Sequence, residues 1–135
     1  MGIIIWNDTY SVGVREIDSQ HKQLVDMINS LDNDMNSDKA KEELNRVLNL
    51  LTDYTIKHFS TEEELMMKYN YTDFNHHKEE HTNLVNDIKK FRVDYLAEKG
   101  SLSMDIGKYL KDWLMNHIMD TDKKLGKFLN RLGIY

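Results

Sequence analysis

The chain has no cysteine and no proline, only six glycines, no excess of positive charge and no long apolar run. Without cysteine, disulfides, zinc–thiolate sites and iron–sulfur clusters are excluded. Without proline and with little glycine, long helices meet few interruptions. A formal net charge of −5 argues against nucleic acid, whose phosphates require a basic face. No apolar stretch approaches the roughly 20 residues of a membrane-spanning helix, so no membrane partner is expected. The opening residues Met1 to Trp6 lack the basic and long apolar parts of a secretion signal. Trp6 also stands where a myristoylation pattern needs serine or threonine. The expected location is cytoplasmic. At 135 residues, 40% hydrophobic and 30% charged, the chain is expected to form one domain over residues 1–135 with a substantial core.

What the chain does have is helical periodicity. Residues 1–17 carry Ile3, Ile4, Ile5 and Trp6 and are interrupted by Gly13, which reads as a non-helical arm laid over the domain. A first helix is predicted to start at Asp18, with the Asp18 side chain as its cap. Its seam is Ile17, His21, Leu24, Ile28, Leu31 and Met35, and the polar run from Asn29 to Asp38 ends it. A second helix starts near Ser37 or Asp38 with the seam Leu44, Leu48, Leu51, Thr55, His58, Glu62, Leu65 and Tyr69, closed by the turn Asn70 to Asp73. A third carries Phe74, His77, His81, Leu84, Ile88, Phe91 and Tyr95, with Gly100 as terminator. A fourth, from near Ser101 or Ser103, carries Ile106, Leu110, Trp113 and His117. Beyond His117 the apolar stripe slips by one residue, to Asp122, Leu125, Leu129 and Leu132. That slip predicts a π-type turn, a kink or a break between His117 and Asp122. Alternating spacings of four and three on four helices predict an all-α, up-down-up-down antiparallel four-helix bundle over 18–135.

Polar residues interrupt these seams in a pattern. His21, His58, Glu62, His77, His81, His117 and Asp122 all take core positions. A single seam histidine reads as a hydrogen-bonded core residue. Seven such residues are different, because an antiparallel bundle brings all of them to one end: early in the first and third helices, late in the second and fourth. A buried carboxylate without a partner costs several kcal/mol, on the order of the stability of the whole domain. A metal centre satisfies all seven at once. Five imidazoles and two carboxylates exceed what one ion takes, so the site is expected to be dinuclear, and the donor set without thiolate suits iron, manganese or zinc. His76, adjacent to His77 but off the seam, is expected to be exposed and not a ligand. The methionines Met27, Met35, Met66, Met67, Met115 and Met119 read as core filler or surface.

The run Ile17-Asp18-Ser19-Gln20-His21, the pairs His58-x-x-x-Glu62 and His77-x-x-x-His81, and Trp113-Leu114-x-x-His117-Ile118-x-x-x-Asp122 carry a resemblance. Together with Trp6 and Val12-Gly13 they closely resemble the hemerythrin family, in particular its single-domain bacterial members, over nearly the whole chain. The resemblance implies a non-haem di-iron centre. One iron would be held by His77, His81 and His117, the other by His21 and His58, with Glu62, Asp122 and a solvent-derived oxo or hydroxo group as bridges. It also implies O2 binding at the open position of the two-histidine iron. Leu24, Phe59, Trp113, Leu114 and Ile118 match the family's O2 pocket. One departure is visible: many relatives have proline shortly after the position of Ile118, where this chain has Met119.

On this reading the chain is an O2-binding protein for carriage, storage or delivery, not an enzyme. It is expected to act as a monomer, with O2 and an oxygen-consuming enzyme as partners. The alternatives are a di-iron oxidase, peroxidase or nitric-oxide reductase, a stand-alone O2 sensor, and a metal buffer.

Overall fold

A computed structural model describes residues 4–35, 41–96 and 103–135. Four long helices follow in chain order: α1 (Arg15–Met35), α2 (Lys41–Lys68), α3 (Phe74–Leu96) and α4 (Ser103–Asn116). After α4 the helix passes through a π-helical turn (His117–Asp122) into α5 (Lys123–Arg131). Helix α1 packs on α2 and α4, and α2 and α4 each pack on α3. Consecutive helices therefore lie side by side in a closed ring, the all-α four-helix bundle that the seams predict. No described helix is long and apolar enough to cross a membrane.

The seams are where the sequence places them. Ile17, Leu31, Leu48, Leu51, Ile88, Leu125 and Leu129 are fully buried, each worth about 1.5–3 kcal/mol relative to exposure. Met66 also lies in the core, while Met67 and Met119 are exposed. Gly107 lets α4 approach α1 closely, since a Cβ there would lie 2.8 Å from Asp32 Oδ1. The turn after α2 is closed by Asn70 in a left-handed conformation (φ 56°), with the Tyr71 N–H bonded to the Met66 carbonyl at 2.9 Å.

One expected boundary needs correction. The first helix begins at Arg15, not Asp18, and the arm is correspondingly shorter. Asp18 does not cap it. Its carboxylate instead accepts from the Ser11 hydroxyl and from the Val12 N–H at 2.8 Å, and so fixes the last bend of the arm. The same helix extends to Met35, the last residue of the expected seam and within the polar run from Asn29 to Asp38. Asn29 is polar because it clasps the arm: the Ile4 N–H donates to Asn29 Oδ1 and Asn29 Nδ2 donates to the Ile4 carbonyl, each at 2.9 Å. A side-chain amide thus supplies the pairing that a second strand would have given. The predicted start at Ser37 or Asp38, Ser101 as a possible start and Gly100 as terminator lie outside the described residues, as do Ile3 and the side chains of Met35, Leu44 and Tyr95.

Candidate metal centre

The seven seam residues come together at one end of the bundle. His21 comes from α1, His58 and Glu62 from α2, His77 and His81 from α3, and His117 and Asp122 from the two ends of the π-helical turn. The turn makes the last pair possible. In an α-helix, residues five apart point about 140° away from each other. Here the Lys123 N–H reaches back to the Ile118 carbonyl, and this wider winding aims His117 and Asp122 the same way.

All seven side chains are buried. The two carboxylates sit between two sets of imidazoles, and each carboxylate gives one oxygen to each set. Glu62 Oε1 lies 3.1 Å from His77 Nε2 and 3.0 Å from His81 Nε2, and Asp122 Oδ1 lies 3.0 Å from His77 Nε2 and 2.9 Å from His117 Nε2. On the other side, Glu62 Oε2 lies 3.2 Å from His58 Nε2 and 3.5 Å from His21 Nε2, and Asp122 Oδ2 lies 2.9 Å from His21 Nε2. Two overlapping groups result, Glu62 with His77, His81, His117 and Asp122, and His21 with His58, Glu62 and Asp122. In each group one donor atom per residue lies within 4.8 Å of all the others.

These contacts are close but poorly directed. His21 Nε2, His58 Nε2, Glu62 Oε2 and both oxygens of Asp122 are buried without hydrogen-bond geometry to any partner. Lone pairs that converge on a point without bonding one another fit a cation there, and the mixed imidazole–carboxylate donor set fits a non-haem iron. With protons in place of metal, the cluster becomes a set of buried ion pairs. Burial pushes His21, His77 and His117 toward neutrality. Asp122 and Glu62 outweigh it and raise their pKa values to about 9, 9 and 10. Burial likewise opposes charge on Glu62 and Asp122, yet the surrounding imidazoles hold both carboxyl groups well below their usual range.

Outside the cluster, the far nitrogens of three rings have partners that the seam pattern does not reveal. His58 Nδ1 bonds the Gln20 amide oxygen at 2.6 Å, His81 Nδ1 bonds Glu63 Oε2 at 2.9 Å, and His117 Nδ1 bonds Glu80 Oε1 at 2.8 Å. Such a bond fixes the tautomer, leaving the Nε2 lone pair for the cluster. Glu80 also receives the Thr121 hydroxyl, and the hydrogen bond from His117 first, then that from Thr121, lower its pKa to about 2 against the effect of burial. His76 is 74% exposed, as expected, but its Nε2 reaches the other oxygen of Glu80 at 2.8 Å. A signal for these partners was present: Gln20, Glu63 and Glu80 are each polar and one position away from a candidate ligand. Tyr71, buried at the edge of the site, was also missed. Burial, then the charges of Asp73 and Asp122, raise its pKa.

An apolar cavity lies beside the cluster. Leu24, Phe59, Trp113 and Leu114 line it, with about 10 Å³ open to the centre of a water-sized sphere. Ile118, the fifth expected pocket residue, is fully buried but is not among the lining residues. Phe59 stacks on His81 at 3.7 Å between centroids and Trp113 stacks on His117 at 4.4 Å, so the cavity wall and the imidazoles form one packed unit.

The family model of the Hemerythrin HHE cation binding domain matches residues 12–129. A bacteriohemerythrin of Methylococcus capsulatus is 34% identical over 131 residues, covering 96% of this chain and 99% of its own. A hemerythrin-like protein of Naegleria gruberi is 36% identical, covering 88% of this chain and 87% of its own. A crystal structure of wild-type hemerythrin matches with a TM-score of 0.86 and 32% identity over 93% of this chain and 96% of that one. The chain belongs to the hemerythrin family.

Proposed function

We propose that this chain binds O2 reversibly at a non-haem di-iron centre and serves in carriage, storage or delivery. His77, His81 and His117 would hold one iron and His21 and His58 the other, with Glu62 and Asp122 bridging them. The observation that carries this is the division of the carboxylate oxygens. Oε1 and Oδ1 face the three-histidine set, while Oε2 and Oδ2 face the two-histidine set. A carboxylate so placed joins two cations without favouring either. One set would offer an ion three imidazoles and the other set two, which would leave the second ion room for an exogenous ligand. Two irons, when bound, would supply the two electrons that O2 takes up and recover them on its release.

The side chains around the cluster have roles of their own. The stacked rings of Phe59 and Trp113, with Leu24 and Leu114, exclude water and with it the protons that would drive irreversible oxidation. Among the described residues, the cavity lining offers no acid or base: its polar member, Thr55, donates its hydroxyl to the Leu51 carbonyl at 2.7 Å. That favours binding over catalysis. A single chain supplies all seven donors, so the site needs no second copy.

The test is iron content with visible absorption on one sample, reduced without air, exposed to air and then degassed. Two irons per chain and a colour that appears in air and fades on degassing are expected. Two irons passing directly to a stable ferric spectrum would overturn reversible binding and point to oxidation chemistry.

A further inference from the structure

The histidines facing the cluster differ in what stands behind them. On the three-histidine side, two of the three rings are backed by carboxylates: Glu63 behind His81 and Glu80 behind His117. The Glu63 and Glu80 side chains are only 20% and 28% exposed. On the two-histidine side, His58 is backed by the neutral amide of Gln20. That amide is oriented by its Nε2 donating to Thr61 Oγ1 at 3.3 Å. His21 Nδ1 and His77 Nδ1 are buried without a hydrogen-bond partner. Among the described residues, carboxylates bonded to the far nitrogens of the donor rings are therefore confined to one of the two positions. His76 touches the far oxygen of Glu80, but from solvent, where water screens it.

A carboxylate that accepts the Nδ1 proton of an imidazole raises the basicity of Nε2, and a stronger donor favours the higher charge on the metal it holds. A neutral amide does this far less, because hydrogen bonds to charged groups are roughly twice as strong. Resting on the di-iron reading above, we infer that Glu63 and Glu80 are positioning residues that direct the first oxidation to the three-histidine iron. In the step itself one electron leaves the di-ferrous pair for an added one-electron oxidant. The residues around His77, His81 and His117 would favour the ferric charge there, leaving the side of His21 and His58 ferrous. No proton is lost: each Nδ1 proton moves toward its carboxylate and remains in the bond.

The test uses the iron-loaded full chain, with iron content measured first. Stepwise oxidation under argon then gives the two midpoint potentials, and Mössbauer spectra of the half-oxidised sample report where the ferric charge sits. The Glu63→Gln/Glu80→Gln double variant keeps both acceptors and removes both charges. Its first potential should rise, and the constant for formation of the half-oxidised state should fall by roughly tenfold, the lower end of the effect of outer partners on metal affinity. The Gln20→Glu variant keeps the acceptor for His58 Nδ1, gives up only the long donation to Thr61 Oγ1, and adds a charge behind His58. It should narrow the interval between the two potentials and spread the ferric signal over both sites. Two irons per chain with potentials unchanged in both variants would overturn the inference while leaving the di-iron reading intact. Wild-type protein that does not hold two irons would overturn the reading and the inference together.

Discussion

Glu62 and Asp122 are the residues on which the site turns, because each faces both sets of histidines. Removing an imidazole from either set leaves buried charge uncompensated, at about 3–5 kcal/mol. His77→Ala and His117→Ala are therefore expected to lose bound metal and melt at lower temperature, whereas His76→Ala keeps two metals per chain. Equal metal content in all three variants, measured by elemental analysis, would contradict the ligand assignment. A pH dependence follows from the same contacts. His21, His77 and His117 rise from 6.5 to about 9, 9 and 10 on folding without metal, so their stabilisation is complete below about pH 6.5 and is lost as pH climbs through those values. Glu62 and Asp122 move down from 4.5 and 3.8, so theirs is complete above about pH 4.5 and is lost as pH falls. The metal-free protein should thus melt highest between about pH 4.5 and 6.5. Metal needs unprotonated rings, so the loaded protein should gain stability from pH 5 to pH 8 as the metal-free protein loses it. A metal-free melting temperature that stays level from pH 6 to 10 would refute this. All seven candidate ligands were legible because a polar residue on an apolar seam is conspicuous. Gln20, Glu63 and Glu80 carry only a weak signal, a polar residue one step from a ligand, which ordinary solvated neighbours share.

At the scale of the element, the π-helical turn reconciles two registers. The α4 seam ends at His117, and the α5 seam, Leu125 and Leu129, is out of phase with it by one residue. The turn absorbs that residue. Deleting Met119, which is exposed on the turn, should let α4 and α5 merge into one α-helix with both seams in phase. Helical content by circular dichroism should be retained, and so should metal content, because His117 and Asp122 would then stand four residues apart on one face of an α-helix. Loss of the C-terminal helix in this variant would show that the turn does more than adjust phase. The sequence announced this irregularity because a phase slip is a property of the pattern itself. The boundary at Asp18 was misread for the opposite reason: an aspartate before an apolar seam looks like a cap, and only the path of the arm shows that it bonds Ser11 and Val12 instead.

At the scale of the whole molecule, the arm ties the first helix to the last. Ile4 is clasped by Asn29, Val12 lies against Gly126, and Asn130 Nδ2 donates to the Gly13 carbonyl at 3.0 Å. A Cβ at Gly126 would sit 2.0 Å from the Val12 carbonyl oxygen. Gly126→Ala should therefore lift the arm and cost about 1–3 kcal/mol, read as a lower denaturant midpoint with metal content unchanged. No seam marks such a contact, so the arm's route was beyond the reach of the sequence, although the bundle beneath it was not. The shared carboxylates have a different consequence at this scale. Between Glu62 and Asp122 lies all of α3 and α4. With both residues on the same ions, that stretch is a closed loop even when its helices loosen, and closure removes conformations from the unfolded ensemble at a cost that grows only slowly with loop length. With iron bound as proposed, a chain without cysteine would carry a cross-link that forms and breaks with iron supply. Its survival against proteolysis would then follow iron availability as closely as it follows the packing of its core.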